Sequence, residues 1–124
     1  EKDLFTLTID HGVKLQGASY AFAVLPGVTP EEAAVWNGGR VIINSETCQA
    51  VEWNDGTIGA IFHAPGKLGN FETDSPGVFL IRGDQLFAAD PTAKLERMSV
   101  TVNGVKKTIL LPQGEEAGHS IGVK

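Results

Sequence analysis

The sequence predicts an all-β protein, an antiparallel β-sandwich with one short connecting helix. Turn-forming residues such as Asn103-Gly104 recur about every ten residues, and the segments between them are short and rich in Val, Ile, Phe and Thr. Short strands at this spacing are typical of sandwiches and barrels. The chain has 124 residues, of which 42% are hydrophobic and 20% charged. It is therefore long enough to bury a core without disulfides.

Strands are expected where β-branched and aromatic residues cluster between turn signals. They are Phe5–Asp10, Ser19–Leu25, Val41–Asn44, Cys48–Trp53, Thr57–His63, Val78–Arg82, Leu86–Ala89, Met98–Val102 and Val105–Leu111. Residues 19–25 carry apolar side chains at both odd and even positions. A strand of this kind is usually covered on both faces. We therefore expect Tyr20 to lie in a core, with its hydroxyl group hydrogen-bonded.

Two hairpin turns can be placed from local sequence. Asn103-Gly104 suits a type I′ turn, in which both central residues have positive φ. Its two-residue register puts Lys107 opposite Val100, which leaves a bulge or a longer loop open. Asn54-Asp55-Gly56 joins two further strands, and Asp55-Gly56 is expected at the turn positions.

The short helix is expected just after residue 29. Thr29 and Glu32 have the spacing of a capping box, and Pro30 occupies the first helical position. This connector suggests three parts. Residues 1–28 are predicted to be the terminal strands of a preceding large β-sandwich domain, 29–39 a helical connector, and 40–124 a small C-terminal β-sandwich domain. The absence of an initiator Met predicts that the chain is a piece of a longer protein.

Composition excludes several classes of function. A net charge of −5 with scattered basic residues argues against nucleic acid as a partner. No apolar run approaches the length of a membrane span, and no signal peptide is visible. Cys48 is the only cysteine, and we expect it to be buried and inert.

No cofactor or metal site is predicted. The three histidines, His11, His63 and His119, lack a second ligand at a spacing that zinc requires. Aspartates lie in predicted loops without forming a calcium-binding pattern. They are Asp74, Asp84 and Asp90. The tripeptide Arg82-Gly83-Asp84 is interpreted as a strand end and a turn.

Asp10-His11-Gly12 is a candidate catalytic motif. Adjacent residues on a strand point to opposite faces, so Asp10 and His11 are poorly placed to pair. The preferred interpretation is a turn in which Asp10 accepts hydrogen bonds from the loop and Gly12 has positive φ. A free-standing enzyme that uses Asp10, His11 and Tyr20 is the least favoured alternative, and no catalytic residue is predicted.

Exposed aromatic side chains offer a second kind of site. Sugar rings stack on flat aromatic faces while polar groups hold their hydroxyls. The candidate carbohydrate-binding residues are Trp53, Trp36, Asn54 and Asp55, with Trp53 the best placed beside a turn. Core packing is the favoured interpretation for these aromatic side chains, because a domain of this size normally buries them.

Several motifs resemble the C-terminal region of family-eight polysaccharide lyases, the group of hyaluronate, chondroitin AC and xanthan lyases. The first is Asp10-His11-Gly12 followed by Ala18, Tyr20, Phe22, Leu25 and Pro26. Further along, "QAV" at 49–51, "AADPT" at 88–92 and "VTVNG" at 100–104 are similar to the family in matching order. Leu15 departs from the pattern, since a proline is expected there.

The resemblance implies a fold and a parent activity. In this family a base removes the C5 proton of a uronic acid, and the 4-linked bond breaks to give an unsaturated product. The catalytic residues lie mainly in an N-terminal α/α toroid, and none of those motifs matches a position in this sequence. The resemblance implies that the chain is a non-catalytic structural segment of a secreted or periplasmic lyase. Its partners would be the toroid and the central β-domain of the same parent chain. A carbohydrate-binding module that contacts polysaccharide is the alternative.

Overall fold

The computed structural model describes residues 8–14 and 16–123 and contains one α-helix and ten β-strands there. The helix, α1, spans Pro30–Ala34. The strands are β1 Gly39–Asn44, β2 Cys48–Trp53, β3 Ile58–Phe62, β4 Gly66–Leu68, β5 Phe71–Thr73, β6 Gly77–Arg82, β7 Gln85–Ala89, β8 Arg97–Val102, β9 Val105–Leu110 and β10 Ile121–Val123. A 3₁₀ turn spans Gly114–Glu116.

The strands form two antiparallel sheets. The larger sheet has the order β1-β2-β3-β6-β7-β10, and the smaller has the order β4-β5-β8-β9. Every strand pair in both sheets is antiparallel. The predicted fold class, an all-β sandwich with one short helix, is confirmed.

The core lies between the two sheets and centres on three phenylalanines. Phe62 and Phe79 come from the larger sheet and Phe71 from the smaller, with ring centroids 4.8–5.9 Å apart. Met98 and Val100 of β8 cover them from the smaller sheet, and each is only 1% exposed. Full burial of side chains this large contributes about 1.5–3 kcal/mol each, so this cluster holds the sheets together.

Strand β1 contains a bulge. The pairing between β1 and β2 runs in register up to Val41 and then shifts, so that Ile43 pairs with Ala50. The extra residue turns both Ile42 and Ile43 toward the core. A bulge of this kind bends an edge strand and increases its twist.

Local signals placed the helix and one hairpin correctly. Thr29 Oγ1 accepts a hydrogen bond from the Glu32 amide at 3.3 Å, and Glu32 Oε2 accepts one from the Thr29 amide at 2.7 Å. Asn103 and Gly104 have φ values of 51° and 79°. Val100 pairs directly with Lys107 across this hairpin, without a bulge. The predicted capping box and type I′ register are therefore confirmed.

The predicted turn after β2 is only partly correct. The Gly56 amide donates to the Trp53 carbonyl at 2.9 Å, and the Trp53 amide donates to the Thr57 carbonyl at 2.8 Å. Asn54 and Asp55 are therefore the central turn residues, and Gly56, with φ of 78°, follows them. This is a three-residue hairpin loop with a glycine bulge, which requires one residue more than a two-residue turn.

The two N-terminal strands predicted from sequence are not observed as strands. Phe5–Leu7 lies outside the described residues, as does Leu15, and Thr8–Asp10 is exposed and irregular. Residues 18–25, which we call the 18–25 segment, lie outside every helix and strand and pair with no strand of the described chain. Alternating apolar residues favour an extended backbone, but a strand also needs a hydrogen-bonding neighbour. Neither sheet supplies one here.

Candidate functional surface

The Asp10-His11-Gly12 turn forms as expected. Asp10 Oδ1 accepts a hydrogen bond from the Gly12 amide at 2.7 Å, and Gly12 has φ of 80°. The Asp10 carboxylate thus stabilises the turn, and no hydrogen bond to His11 is found among the described residues. The predicted structural role of Asp10 is confirmed.

The expectation that Tyr20 lies in the core is wrong. Its side chain is 59% exposed, and Phe22 and Val24 are exposed by 63% and 75%. The ring of His11 lies 5.6 Å from that of Tyr20, which lies 6.3 Å from that of Phe22. These rings form an exposed row without a cavity around His11, because no sheet of the described chain covers this side of the segment.

Trp36 and Trp53 line one groove. It lies between the 18–25 segment and the β1–β2 hairpin and has a volume of about 640 Å³. Both indoles are about half exposed, at 43% and 41%. On the hairpin side, Arg40 binds Glu52 through its Nε at 2.9 Å and its Nη2 at 2.6 Å. The single cation in this groove is therefore already paired with a carboxylate.

Asn54 and Asp55 line a different, shallower depression, which they share with Trp53 and Arg82. Asp55 Oδ1 accepts a hydrogen bond from the Thr57 amide at 2.9 Å. That backbone bond lowers the pKa of Asp55 and holds its carboxylate in the turn. Trp53 therefore lines the groove with Trp36 and also the depression with Asn54 and Asp55. The Asn54 amide donates to the carbonyl of Gly38, two residues from Trp36, at 3.1 Å.

Asp90 is the one buried carboxylate among the described residues, and it organises the loop after β7. It accepts hydrogen bonds from the Thr92 amide and hydroxyl, the Lys94 amide and the Leu95 amide, at 2.7–2.9 Å. Burial alone would raise the pKa of Asp90, but these bonds outweigh it and lower the pKa to about 2. Both carboxylate oxygens are thus occupied by the loop backbone.

The remaining titratable groups are dispersed. Cys48 is buried, and burial raises the pKa of its thiol. His63 contacts Gln49 at 2.8 Å, and His119 contacts Glu116. Within residues 8–14 and 16–123, no three His, Cys, Asp or Glu side chains converge as metal ligands. That same part of the chain contains no helix with the length and apolarity needed to cross a membrane.

The solvent side of the larger sheet is apolar, a feature that the sequence analysis did not identify. One row across the strands runs Val41, Val51, Gly59, Leu80, Phe87 and Gly122. The next row runs Asn44, Gln49, Ile61, Val78 and Ala89. We call these two rows, together with Trp53, the outer face. The segment "GVFLIR" at 77–82 is apolar at both odd and even positions, a pattern that predicts a strand with apolar side chains on both faces of the sheet.

Comparison with known proteins finds a matching family. Residues 40–99 match the family described as polysaccharide lyase family 8, C-terminal beta-sandwich domain. We call this chain the family 8 segment because it is similar to the C-terminal region of polysaccharide lyase family 8. The two-sheet architecture of the family 8 segment agrees with that description, and the resemblance noted from the motifs is confirmed.

Two curated relatives are similar to this family 8 segment. Chondroitinase-AC of Pedobacter heparinus is 37% identical over 140 aligned residues, which cover 98% of this chain and 20% of the relative. Hyaluronate lyase of Thermasporomyces composti is 38% identical over 82 residues, which cover 62% of this chain and 10% of the relative. The family 8 segment therefore spans at most one fifth of the length of these relatives.

Proposed function

We propose that this chain is a non-catalytic, structural C-terminal part of a lyase that cleaves uronic-acid-containing polysaccharide of the hyaluronan or chondroitin type. The observation that carries the proposal is the 37% identity to a chondroitinase-AC across 98% of the chain. The parent enzyme would act by β-elimination and would be secreted or periplasmic. Its α/α toroid and central β-domain would precede this chain, with residues 1–28 contributing terminal strands to the β-domain.

The arrangement of polar groups supports a structural role. β-Elimination requires a base close to the C5 proton, a group that neutralises the sugar carboxylate, and a donor for the leaving oxygen. Asp90 is occupied by its own loop, and Asp10 is held in its turn. His11, His63 and His119 are not among the residues that line the groove of Trp36 and Trp53 or the depression of Asn54 and Asp55. The contacts of Asp10 and Asp90 therefore support a structural role for these two carboxylates.

Formation of an unsaturated uronide tests the proposal directly. The parent protein should produce ultraviolet-absorbing product from hyaluronan or chondroitin, whereas the 124-residue chain should produce none. A His11→Ala variant of the parent should retain activity, because His11 takes no part in the reaction. Product released by the isolated chain and lost in His11→Ala would refute the structural role.

A carbohydrate-binding surface is the second candidate function. It is supported by Trp36 and Trp53, two half-exposed indoles that line one groove. The paired Arg40 and the net charge of −5 disfavour an anionic polymer at this place. Hyaluronan fragments added at millimolar concentration to the chain and to Trp53→Ala would test it by tryptophan fluorescence. An unchanged spectrum of the unsubstituted chain would eliminate this candidate.

A further inference from the structure

The two outer faces of the sandwich differ sharply in polarity. On the smaller sheet, one cross-strand row runs Lys67, Glu72, Thr101 and Lys106. These are the polar side chains expected of a sheet that faces water. On the larger sheet, the two rows of the outer face carry no charged side chain, and Arg82, two residues beyond Leu80 on the same side of β6, marks the polar margin beside Trp53. The residue pattern of the larger sheet is therefore typical of a sheet that packs against other protein structure on both faces.

The outer face is also accessible in this chain. Ile61, Val78 and Leu80 are exposed by 42%, 37% and 38%. A depression of about 500 Å³ lies above Gly59, with Trp53 and Phe87 among the residues that line it. Exposed contiguous apolar surface of this kind marks an interaction site in a stable protein.

The 18–25 segment continues the same apolar surface. Phe22 and Val24 line one side of the 640 Å³ groove, and Val41, Val51 and Trp53 of the outer face line the other. Within the described chain, the backbone of this segment makes no hydrogen bond to another backbone group. The side chain of Asn44 donates a hydrogen bond through Nδ2 to the Tyr20 carbonyl at 3.1 Å. An apolar segment whose backbone makes no backbone–backbone hydrogen bond within the described chain is suited to join another sheet.

We propose that the outer face and the 18–25 segment together form the docking surface for the β-domain that precedes this chain in the parent lyase. This inference rests on the proposed function, and it names the surface and its occupant. The matched family is a C-terminal domain, and the chain spans only 20% of the chondroitinase-AC relative. A covalently attached domain acts at high effective concentration. It would cover the outer face and pair with the 18–25 segment at the same time.

The other occupants fit the surface less well. A polysaccharide needs directed polar groups for its hydroxyls, and Asn44 and Gln49 are the only side chains of that type in the two rows. A second copy of this chain would cover the outer face but would leave the backbone of the 18–25 segment without a defined sheet to join. The apolar, charge-free character of the face favours a protein domain.

Hydroxyl-radical footprinting of side chains tests the docking surface. It would compare the 124-residue chain with the parent protein under identical conditions. We expect Phe22, Trp53 and Leu80 to be labelled in the isolated chain and strongly protected in the parent. Val105 and Leu110, which are 59% and 70% exposed on the smaller sheet, should be labelled equally in both. Equal labelling of Trp53 and Leu80 in the two proteins would overturn the proposal.

A charge on the outer face provides an independent test. Leu80→Lys in the parent should restore labelling at Trp53, because burial of an unpaired ammonium group disfavours docking. Val105→Lys is the matched control and should leave Trp53 protected. Circular dichroism of the 124-residue chain with Leu80→Lys should remain unchanged, since this position is on the solvent side of the sheet. If Trp53 stays protected in a folded Leu80→Lys parent, the outer face is not the docking surface.

The remaining outcomes separate this inference from the proposed function. If the parent releases unsaturated uronide while Trp53 remains labelled, the docking surface is wrong and the proposed function stands. If Trp53 is protected but no such product forms, the docking surface stands and the lyase activity is wrong. If Trp53 is protected only when hyaluronan fragments are added, the outer face binds sugar instead. If the protection of Trp53 grows with the concentration of the isolated chain, the outer face binds a second copy.

Discussion

The indole of Trp53 lies directly over Gly59 of the neighbouring strand. A Cβ atom at position 59 would come 3.0 Å from Trp53 Cζ3 and 3.1 Å from Cη2. The absence of a side chain at Gly59 therefore allows the indole of Trp53 to pack against the surface of the sheet. The half-exposed ring can yield, whereas a buried neighbour could not.

Gly59→Ala should move Trp53 without unfolding the sheet. The added methyl group displaces the ring by a few tenths of an ångström or more. The cost of this displacement is offset because replacing a glycine in a strand by alanine stabilises the folded state by about 0.5–1 kcal/mol. We expect little change in the free energy of unfolding but greater quenching of Trp53 fluorescence by acrylamide. The measurement is made in a Trp36→Phe background, where Trp53 is the sole tryptophan.

Gly77→Ala is the matched comparison. A Cβ atom there would meet Phe79 Cζ at 3.0 Å and the Ala89 carbonyl oxygen at 3.2 Å. Phe79 is 1% exposed and cannot move aside. We expect a loss of about 1–3 kcal/mol in urea unfolding. Equal stabilities of the two alanine variants would contradict this explanation.

Asp90 should make stability depend on pH in the acid range. Its pKa is about 2 in the folded chain and about 3.9 in an unfolded one. The stabilisation is therefore complete above about pH 4 and is lost as the pH falls toward 2. Its size is about 2 kcal/mol. Asp90→Asn should lower stability at pH 7 by at least that amount, because an amide places N–H groups against the backbone donors of Lys94 and Leu95.

Urea unfolding at several pH values measures the Asp90 effect. The difference between the unsubstituted chain and Asp90→Asn should shrink between pH 4 and pH 2, the range of the shifted pKa. Asp84→Asn, at an exposed turn position, is the control and should leave stability unchanged. A difference of the same size at pH 2 as at pH 4 would show that the carboxylate charge is not the cause.

Cys48 should be inert to thiol reagents in the folded chain. It is 4% exposed, and burial raises the pKa of its thiol, so little thiolate forms near neutral pH. Labelling with a chromogenic disulfide at pH 8 should be slow in buffer and fast in denaturing urea. Fast labelling of the folded chain would show that the region around β2 opens readily.

Gly104→Ala should destabilise the β8–β9 hairpin. Gly104 has φ of 79°, a conformation that costs an alanine about 1–2 kcal/mol. The loss should appear as a lower midpoint in urea with an unchanged slope. Val105→Ala, at an exposed position next to the turn, is the control and should cost much less.

Elements with strong local signals could be predicted from sequence, and elements that depend on distant partners could not. The capping box at Thr29 and the turn at Asn103-Gly104 need only neighbouring residues. In contrast, β4, β5 and β10 have three residues each and lie among glycines and turn signals. The longer strands β8 and β7 pair with β5 and β10, and β4 in turn pairs with β5, so these short strands depend on distant partners.

The candidate surface was only partly predictable for the same reason. Core packing was favoured for the tryptophans, with Trp53 the best exposed candidate because it lies beside a turn, and the structure leaves both Trp36 and Trp53 about half exposed. The outer face required knowledge of which strands are neighbours, since Val51, Leu80 and Phe87 are far apart in sequence and adjacent only across the sheet. Tyr20 was misplaced because its alternating pattern indicates an extended backbone without specifying what covers it.

The bulge in β1 has a consequence for solubility. β1 is an edge strand of the larger sheet, and a regular edge presents a row of unpaired N–H and C=O groups that can template fibril growth. The register shift between Val41 and Ile43 interrupts that row and turns Ile42 and Ile43 inward. The irregularity that helps to fill the core thereby also protects the sheet against edge-to-edge aggregation.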